Sequence, residues 1–342
     1  MNGTAQGENT APDEPGGQGG FSVSSPPPDW MQQNLGVLGS RPLRQLCIPG
    51  SHDSGMSTFT SGTAFAHPCS TQAQSVGVLQ QLQFGVRYFD IRPVISAGQY
   101  YTGHYSYIGQ ISSWQGANGQ SIASIISDVN TFTAANQELV VLYLSHDLNT
   151  DLGNASYAPF TQDEWNQLLT QLQGLDHLYV AQNPTTVDLT TLTLSDFIGG
   201  GSAVVVVVDP AVAGIGLGSF ATQGFYTPAG FSVYNQYSNT NVLAQMQADQ
   251  LAKLAAQRPS PDAGYFLLSW TLTQDTTQAV TCATGLSESI LDLANIANPT
   301  LPSMLLPACS AQTYPNILYI DGVQGSDITV LALAINAKAM AS

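Results

Sequence analysis

Five histidines and seven lysines or arginines are all that this chain of 342 residues offers for proton transfer and anion binding, so where they fall is informative. Leu46-Cys-Ile-Pro-Gly-Ser-His52-Asp53-Ser-Gly55 is followed by Gly85-Val-Arg-Tyr-Phe-Asp90-Ile-Arg92-Pro93 and then by Thr102-Gly-His104. Two imidazoles and one guanidinium thus close three successive apolar, strand-like runs. A guanidinium between two imidazoles can bind a phosphate diester while one imidazole takes a proton from an attacking hydroxyl and the other returns one to the departing oxygen.

Elements that would position these groups can be read from the alternation of short apolar runs with amphipathic segments. Strands are expected at Gln45–Pro49, Val86–Arg92, Tyr100–Gly103, Leu139–Ser145, Ala203–Val208, Phe231–Tyr237, Tyr265–Thr271 and Ile317–Ile320. Helical periodicity runs through Ser121–Ala135, Gln162–Gln173 behind Thr161 as N-cap, Asn241–Gln257, Leu286–Ala297 and Asp327–Ala339. Strands alternating with helices imply right-handed crossovers and a parallel sheet. Eight strands suit a (β/α)8 TIM-type barrel, an irregular one because the second and third are too close for a full helix between them. Its active site is expected at the C-terminal strand ends. There the sequence places His52 and Asp53, Asp90 and Arg92, His104, Ser145 with His146 and Asp147, Asp209, Asn235 with Tyr237, Asp275, and Asp321. His67 and His177 fall outside this pattern.

The three motifs together resemble the X region of phosphatidylinositol-specific phospholipase C, in its bacterial, metal-independent form. They span about 60 residues, and weaker similarity continues through Val140–Asp147, Val233–Tyr237 and the Asp321 strand. The resemblance implies a barrel enzyme, a phosphorus–oxygen lyase of lipid metabolism, that cleaves a phosphodiester by attack of a neighbouring hydroxyl and releases a cyclic phosphate. It makes His52 the general base, oriented by Asp321, Arg92 the phosphate clamp and His104 the general acid, with Asp53 and Asp90 supporting them. Calcium-dependent relatives carry Asn after the first His and an acidic residue in place of Arg92, so no metal or other cofactor is expected here. Headgroup contacts are expected from His146, Asp209, Asn235 and Tyr237. Tyr237 fits the bacterial pattern, whereas Asp209 stands where an arginine is usual, Asn235 where an aspartate is, and Ser145-His146-Asp147 replaces a basic residue and a glutamate. The implied partner is a phosphoinositide or a related phospho-polyol. A non-catalytic phospho-polyol binder on the same barrel, and a phosphodiesterase for another substrate, are the alternatives; acidic metal ligands of the glycerophosphodiesterase kind are opposed by Arg92.

Composition sets further bounds. With 23 acidic against 7 basic residues the net charge is −16, although only 9% of residues are charged. There is no basic stripe to displace counterions from nucleic acid or to adhere to anionic lipid, so membrane contact is expected to be transient at most. Acidic surroundings would bring the charge toward zero. A monomer is expected. Cys47, Cys69, Cys282 and Cys309 form an N-terminal and a C-terminal pair, and local bridges Cys47–Cys69 and Cys282–Cys309 would each contribute roughly 3 kcal/mol. With sequons at Asn2 and Asn154 they suggest an extracellular protein. Residues 1–29 read as a disordered arm lacking the basic and apolar regions of a signal peptide, as after removal of a leader, and residues 30–342 as the barrel domain.

Overall fold

Ala203–Val208, one alanine followed by five valines, is buried along its whole length, because β-branched side chains on both faces of this strand meet apolar neighbours. It belongs to an eight-stranded parallel sheet in the computed structural model, which describes residues 26–341. In chain order the strands are β1 (Ile48–Ser51), β2 (Tyr88–Ile91), β3 (Leu139–Leu144), β4 (Ala203–Val208), β5 (Phe225–Tyr226), β6 (Val233–Asn235), β7 (Tyr265–Ser269) and β8 (Ile317–Ile320). Their spatial order is β5-β4-β3-β2-β1-β8-β7-β6, every pairing parallel. The sheet curls as a TIM-type barrel does, with a seam between β5 and β6 where no ladder forms.

Alternate residues of each strand go to opposite sides. Ile48, Tyr88, Val141, Val205, Leu267, Ile317 and Tyr319 pack in one apolar cluster, capped at the foot by Trp30 and Leu43. Phe89, Leu142, Val206, Leu268 and Leu318 join a second cluster with the surrounding helices. The sequence sets these helices plainly. Ile122–Ala135 begins at Ser121, whose hydroxyl accepts from the Ser124 N–H. Gln162–Leu172 begins with a capping box between Thr161 and Glu164. Leu243–Gln257, Ile290–Ala297 and Asp327–Met340 follow β6, β7 and β8 in the chain, the second starting four residues later than the pattern from Leu286 predicts.

Two expectations need correction. Tyr100–Gly103 is not a barrel strand: it lies within Gln99–Ile108, which pairs antiparallel with Ser113–Ser121 and with Pro93–Ser96 in a separate five-stranded sheet over the mouth. The connection is short because it is a hairpin. The missing barrel strand is β5, whose two residues after Gly224 are too few to show any periodicity.

The cysteine pairing is also different. Cys69 is bonded to Cys282, while Cys47 and Cys309 are buried free thiols. Cys47 stands just below β1 and Cys69 in the loop above it; Cys309 precedes β8 and Cys282 follows β7. β1 therefore separates Cys47 from Cys69, and the helices Ile290–Ala297 and Leu301–Ala308 separate Cys282 from Cys309. Burial pushes the Cys309 thiol up to about 12 and raises Cys47 as well, so both behave as small core side chains. The expected arm and the sequon at Asn2 lie outside the described residues as far as residue 25. Asn154 is half-buried in a turn after β3.

Candidate active site

Strand ends, with the hairpin folded over them, bring the polar groups together. On β8 the inward side of the pleat carries Tyr319, and Asp321 continues two residues on; on β2 the same alternation aligns Tyr88 and Asp90. After Ser51 the chain turns through Asp53 in the left-handed region, φ 44°, which projects His52 and Asp53 across the mouth. Gly55 and Gly119 let the hairpin press on this turn: a Cβ at Gly119 would stand 2.4 Å from the Gly55 carbonyl oxygen. That approach carries His104 to Asp53.

The hydrogen bonds define two imidazole–carboxylate pairs with Arg92 between them. His52 Nδ1 is 2.6 Å from Asp321 Oδ1, and its Nε2 is 2.7 Å from Arg92 Nη2. A guanidinium can only donate, so Nε2 holds its lone pair outward and Nδ1–H donates to Asp321. His104 Nδ1 is 2.7 Å from Asp53 Oδ2, which lies 3.8 Å from Arg92 Nη1. Arg92 Nε donates to Asp90 Oδ2 at 3.1 Å, and the same oxygen accepts from the Asp53 N–H at 3.0 Å and the Tyr319 hydroxyl at 2.5 Å. The side chains of His52, Arg92 and His104 remain 18, 19 and 22% exposed while Asp53 is wholly buried, so a solute meets the bases and the guanidinium rather than the carboxylate behind them.

Electrostatics follow the geometry. Burial disfavours the charged form of His52, but the Asp321 carboxylate outweighs it and raises the imidazole above its ordinary value, against opposition from Arg92. Burial alone would raise Asp90; Arg92, His52, His146 and the Tyr319 hydroxyl overcome it and hold the carboxyl well below the usual range. Burial likewise works against the charge on Arg92, and Asp90 and Asp53 outweigh it, so the guanidinium is firmly charged. Burial and then Arg92 lower His146, a neutral imidazole whose Nδ1 is 2.8 Å from the Ser145 hydroxyl. The strain of His146, at φ 57°, aims it over the mouth.

Other sequence candidates are placed more loosely. Asp209 accepts from the Tyr143 hydroxyl at 3.0 Å at the end of β4. Asn235 and Tyr237 are exposed at the end of β6, with Tyr237 56% exposed. Asp147 is spent on the N–H groups of Phe160 and Ala211, and Asp275 caps the helix Thr276–Thr281. His67 caps Pro68–Thr71. Sequence reasoning missed Gln74, whose amide donates to the carbonyls of His52 (2.6 Å) and Ile320 (3.1 Å) and accepts from the Val323 N–H (3.1 Å), stitching the ends of β1 and β8 together. It also missed Tyr319. A tyrosine two residues before a strand-end aspartate carries that information in principle, since both share one face.

No family model matches the chain. A PI-PLC X-box domain-containing protein of Dictyostelium discoideum is 28% identical over 130 residues, 34% of this chain and 16% of that protein, so the chain corresponds to only a small part of that relative. Among solved structures, phosphatidylinositol-specific phospholipase C of Staphylococcus aureus, as its F249X mutant, superposes with a TM-score of 0.65 at 16% identity, covering 92% of this chain and 99% of that one. The enzyme of the same name from Listeria monocytogenes gives 0.58 at 16% identity, over 90 and 98%. In fold, with the irregular barrel spanned almost end to end, this chain is similar to the bacterial phosphatidylinositol-specific phospholipases C.

Proposed function

We propose that the chain is a phosphodiesterase of the lyase type that cleaves a phosphatidylinositol-like phosphodiester to a cyclic phosphate. The observation that carries this reading is the ordered row Asp321–His52–Arg92–Asp53–His104, in which each exposed imidazole is backed by a carboxylate and the guanidinium lies between. The hydroxyl next to the phosphate gives its proton to His52 Nε2 as its oxygen bonds to phosphorus. The bond to the departing oxygen breaks, and that oxygen takes a proton from the His104 imidazolium. Asp321 stabilises the His52 imidazolium as it forms, and Asp53 holds His104 in place by its Nδ1 while the imidazolium gives up its Nε2 proton. To accept the proton, His52 must exchange Arg92 for the substrate hydroxyl, and Arg92 then meets the phosphate with the charge that Asp90 and Asp53 secure.

Arg92 supplies the positive charge a metal would otherwise bring to the phosphate, and turnover proceeds without one. His146, Asn235 and Tyr237 are the groups we assign to the substrate's polyol, with Asp209 held beside them by Tyr143. The Cys69–Cys282 bond suits an oxidising, extracellular setting. Purified protein incubated with a soluble inositol phosphodiester should release the cyclic phosphate, seen as its characteristic phosphorus resonance, and should do so undiminished in EDTA. Failure to release it from any inositol phosphodiester would sink the reading and favour a binding protein.

A further inference from the structure

The ladder between β1 and β8 ends at the pair Ser51 and Ile320, and the residues that follow them are His52 and Asp321. One direct backbone bond continues past that point, from the His52 N–H to the Ile320 carbonyl at 3.0 Å. Beyond it the two turns share no ladder, and Gly322 takes φ 63° as the chain leaves the sheet. Proton transfer nevertheless needs the 2.6 Å contact between His52 Nδ1 and Asp321 Oδ1 to hold.

Gln74 stands in for the missing rungs. Its side chain is wholly buried; the amide nitrogen donates to the His52 carbonyl at 2.6 Å and the Ile320 carbonyl at 3.1 Å, and the oxygen accepts from the Val323 N–H at 3.1 Å. The orientation is unambiguous, because a reversed amide would set its oxygen against two carbonyls and its NH2 against an N–H. The backbone around it is fixed as well. The N–H groups of Ala73 and Gln74 both donate to the Met56 carbonyl, and the Ala73 carbonyl accepts from the Gly322 N–H at 2.8 Å. Gln72 adds a bond to the Ser57 carbonyl at 2.6 Å. Residues 72–74 thus grip the turn after β1 and the turn after β8 together. Every bond of the Gln74 side chain goes to main chain, so it reaches no reacting atom.

We propose that Gln74 is a positioning residue for the proton-accepting half of the reaction centre, setting the distance between His52 and Asp321 without touching substrate. The proposal rests on the phosphodiesterase reading and adds to it the group that keeps its base oriented. Removing the amide leaves the His52 carbonyl and the Val323 N–H without their partner, and each turn relaxes separately. A shift of about 1 Å between imidazole and carboxylate suffices to cost about 10²-fold in rate. Arg92, Asp53 and His104 are joined by contacts of their own and keep them.

The test compares the full chain with Gln74→Met, which has nearly the same length and shape but no donors, on an alkyl and a nitrophenyl diester of inositol phosphate, with rates taken per folded molecule. kcat should fall about 10- to 10²-fold with KM almost unchanged. The loss should be equal on the two esters, since the attacking hydroxyl is the same in both and His104 stays in place. In the Asp321→Ala background the same substitution should cost no more than about twofold, because the contact that Gln74 sets is already gone. Gln74→Asn, whose amide falls one methylene short, should behave as Gln74→Met does, and it supplies the readout if the methionine variant does not fold. A loss in KM alone, a loss confined to the alkyl ester, an undiminished loss in Asp321→Ala, or parental kcat in both variants overturns the positioning role and leaves the phosphodiesterase reading intact. No cyclic phosphate from the parent chain overturns both.

Discussion

At the scale of single residues, the Nε2 atom of His52 decides the acidic side of the pH profile. A base works only unprotonated, and Asp321 raises this imidazole above its ordinary value near 6.5. The acidic limb of kcat/KM should therefore lie above that value, with activity lost as pH falls through it. Asp321→Asn removes the raising carboxylate, so the limb should move to lower pH even though the plateau rate drops. His52→Ala should cost more than Asp321→Asn at every pH, since positioned general-base catalysis is worth about 10²–10⁴-fold. His104 is separable from His52 by the leaving group. His104→Ala should lose most activity on an alkyl ester and keep a far larger fraction on a nitrophenyl ester, whose phenolate needs no proton, while His52→Ala fails on both. Equal ratios for the two variants would refute the division into base and acid. Arg92 makes a third case. Lysine keeps the charge but loses the fork that contacts His52 and Asp90 together, so Arg92→Lys should fall by a factor of 10² or more by the same kind of estimate as for other positioned electrostatic groups.

At the scale of elements, the hairpin Gln99–Ser121 sets the position of His104, and its contact with the β1 turn is close because glycines stand at 55 and 119, with the side chains of Thr102 and Met56 packed against them. Gly119→Ala must push the two apart against the Gly55 carbonyl, a backbone atom that cannot rotate away. It should cost about 1–3 kcal/mol in denaturant unfolding. It should also depress kcat at temperatures where the variant is fully folded; a variant with parental kcat would show that the glycine contact does not place the acid. The same element marks where sequence was and was not legible. Long strands and helices with strong period, such as Ala203–Val208 and Gln162–Leu172, declared themselves, and so did the strand-end residues His52, Arg92 and Asp321. Tyr100–Gly103 alternates like any half-buried strand, and alternation does not say which sheet a strand joins. β5 was lost because two residues carry no period. Gln74 was invisible because an amide bonding three backbone groups leaves no motif, and the cysteine pairing because sequence distance is a poor guide when a strand or a pair of helices intervenes.

At the scale of the whole molecule, the foot of the barrel is locked by a wholly buried ion pair. Arg87 Nε donates to Glu138 Oε2 at 2.8 Å, its guanidinium lies 4.8 Å from the Phe132 ring centroid, and it also donates to the Pro28 carbonyl. Burial dominates both partners, lowering Arg87 and raising Glu138, so neither charge is tolerated alone. Arg87→Met should cost about 3–5 kcal/mol by equilibrium unfolding, and the double variant Arg87→Met, Glu138→Leu should recover much of it. At the opposite end, the Cys69–Cys282 bridge closes a span of 213 residues, for which the chain-entropy model gives about 5 kcal/mol. That span contains Arg92 and His104 but neither His52 nor Asp321, so the bridge is also a hinge pin between two halves of one reaction centre. A protease that cuts an exposed loop anywhere between residues 69 and 282 leaves two pieces that cannot diffuse apart. Nicked protein should run as one band without reductant and as two with it, and should go on turning over until the bridge is reduced.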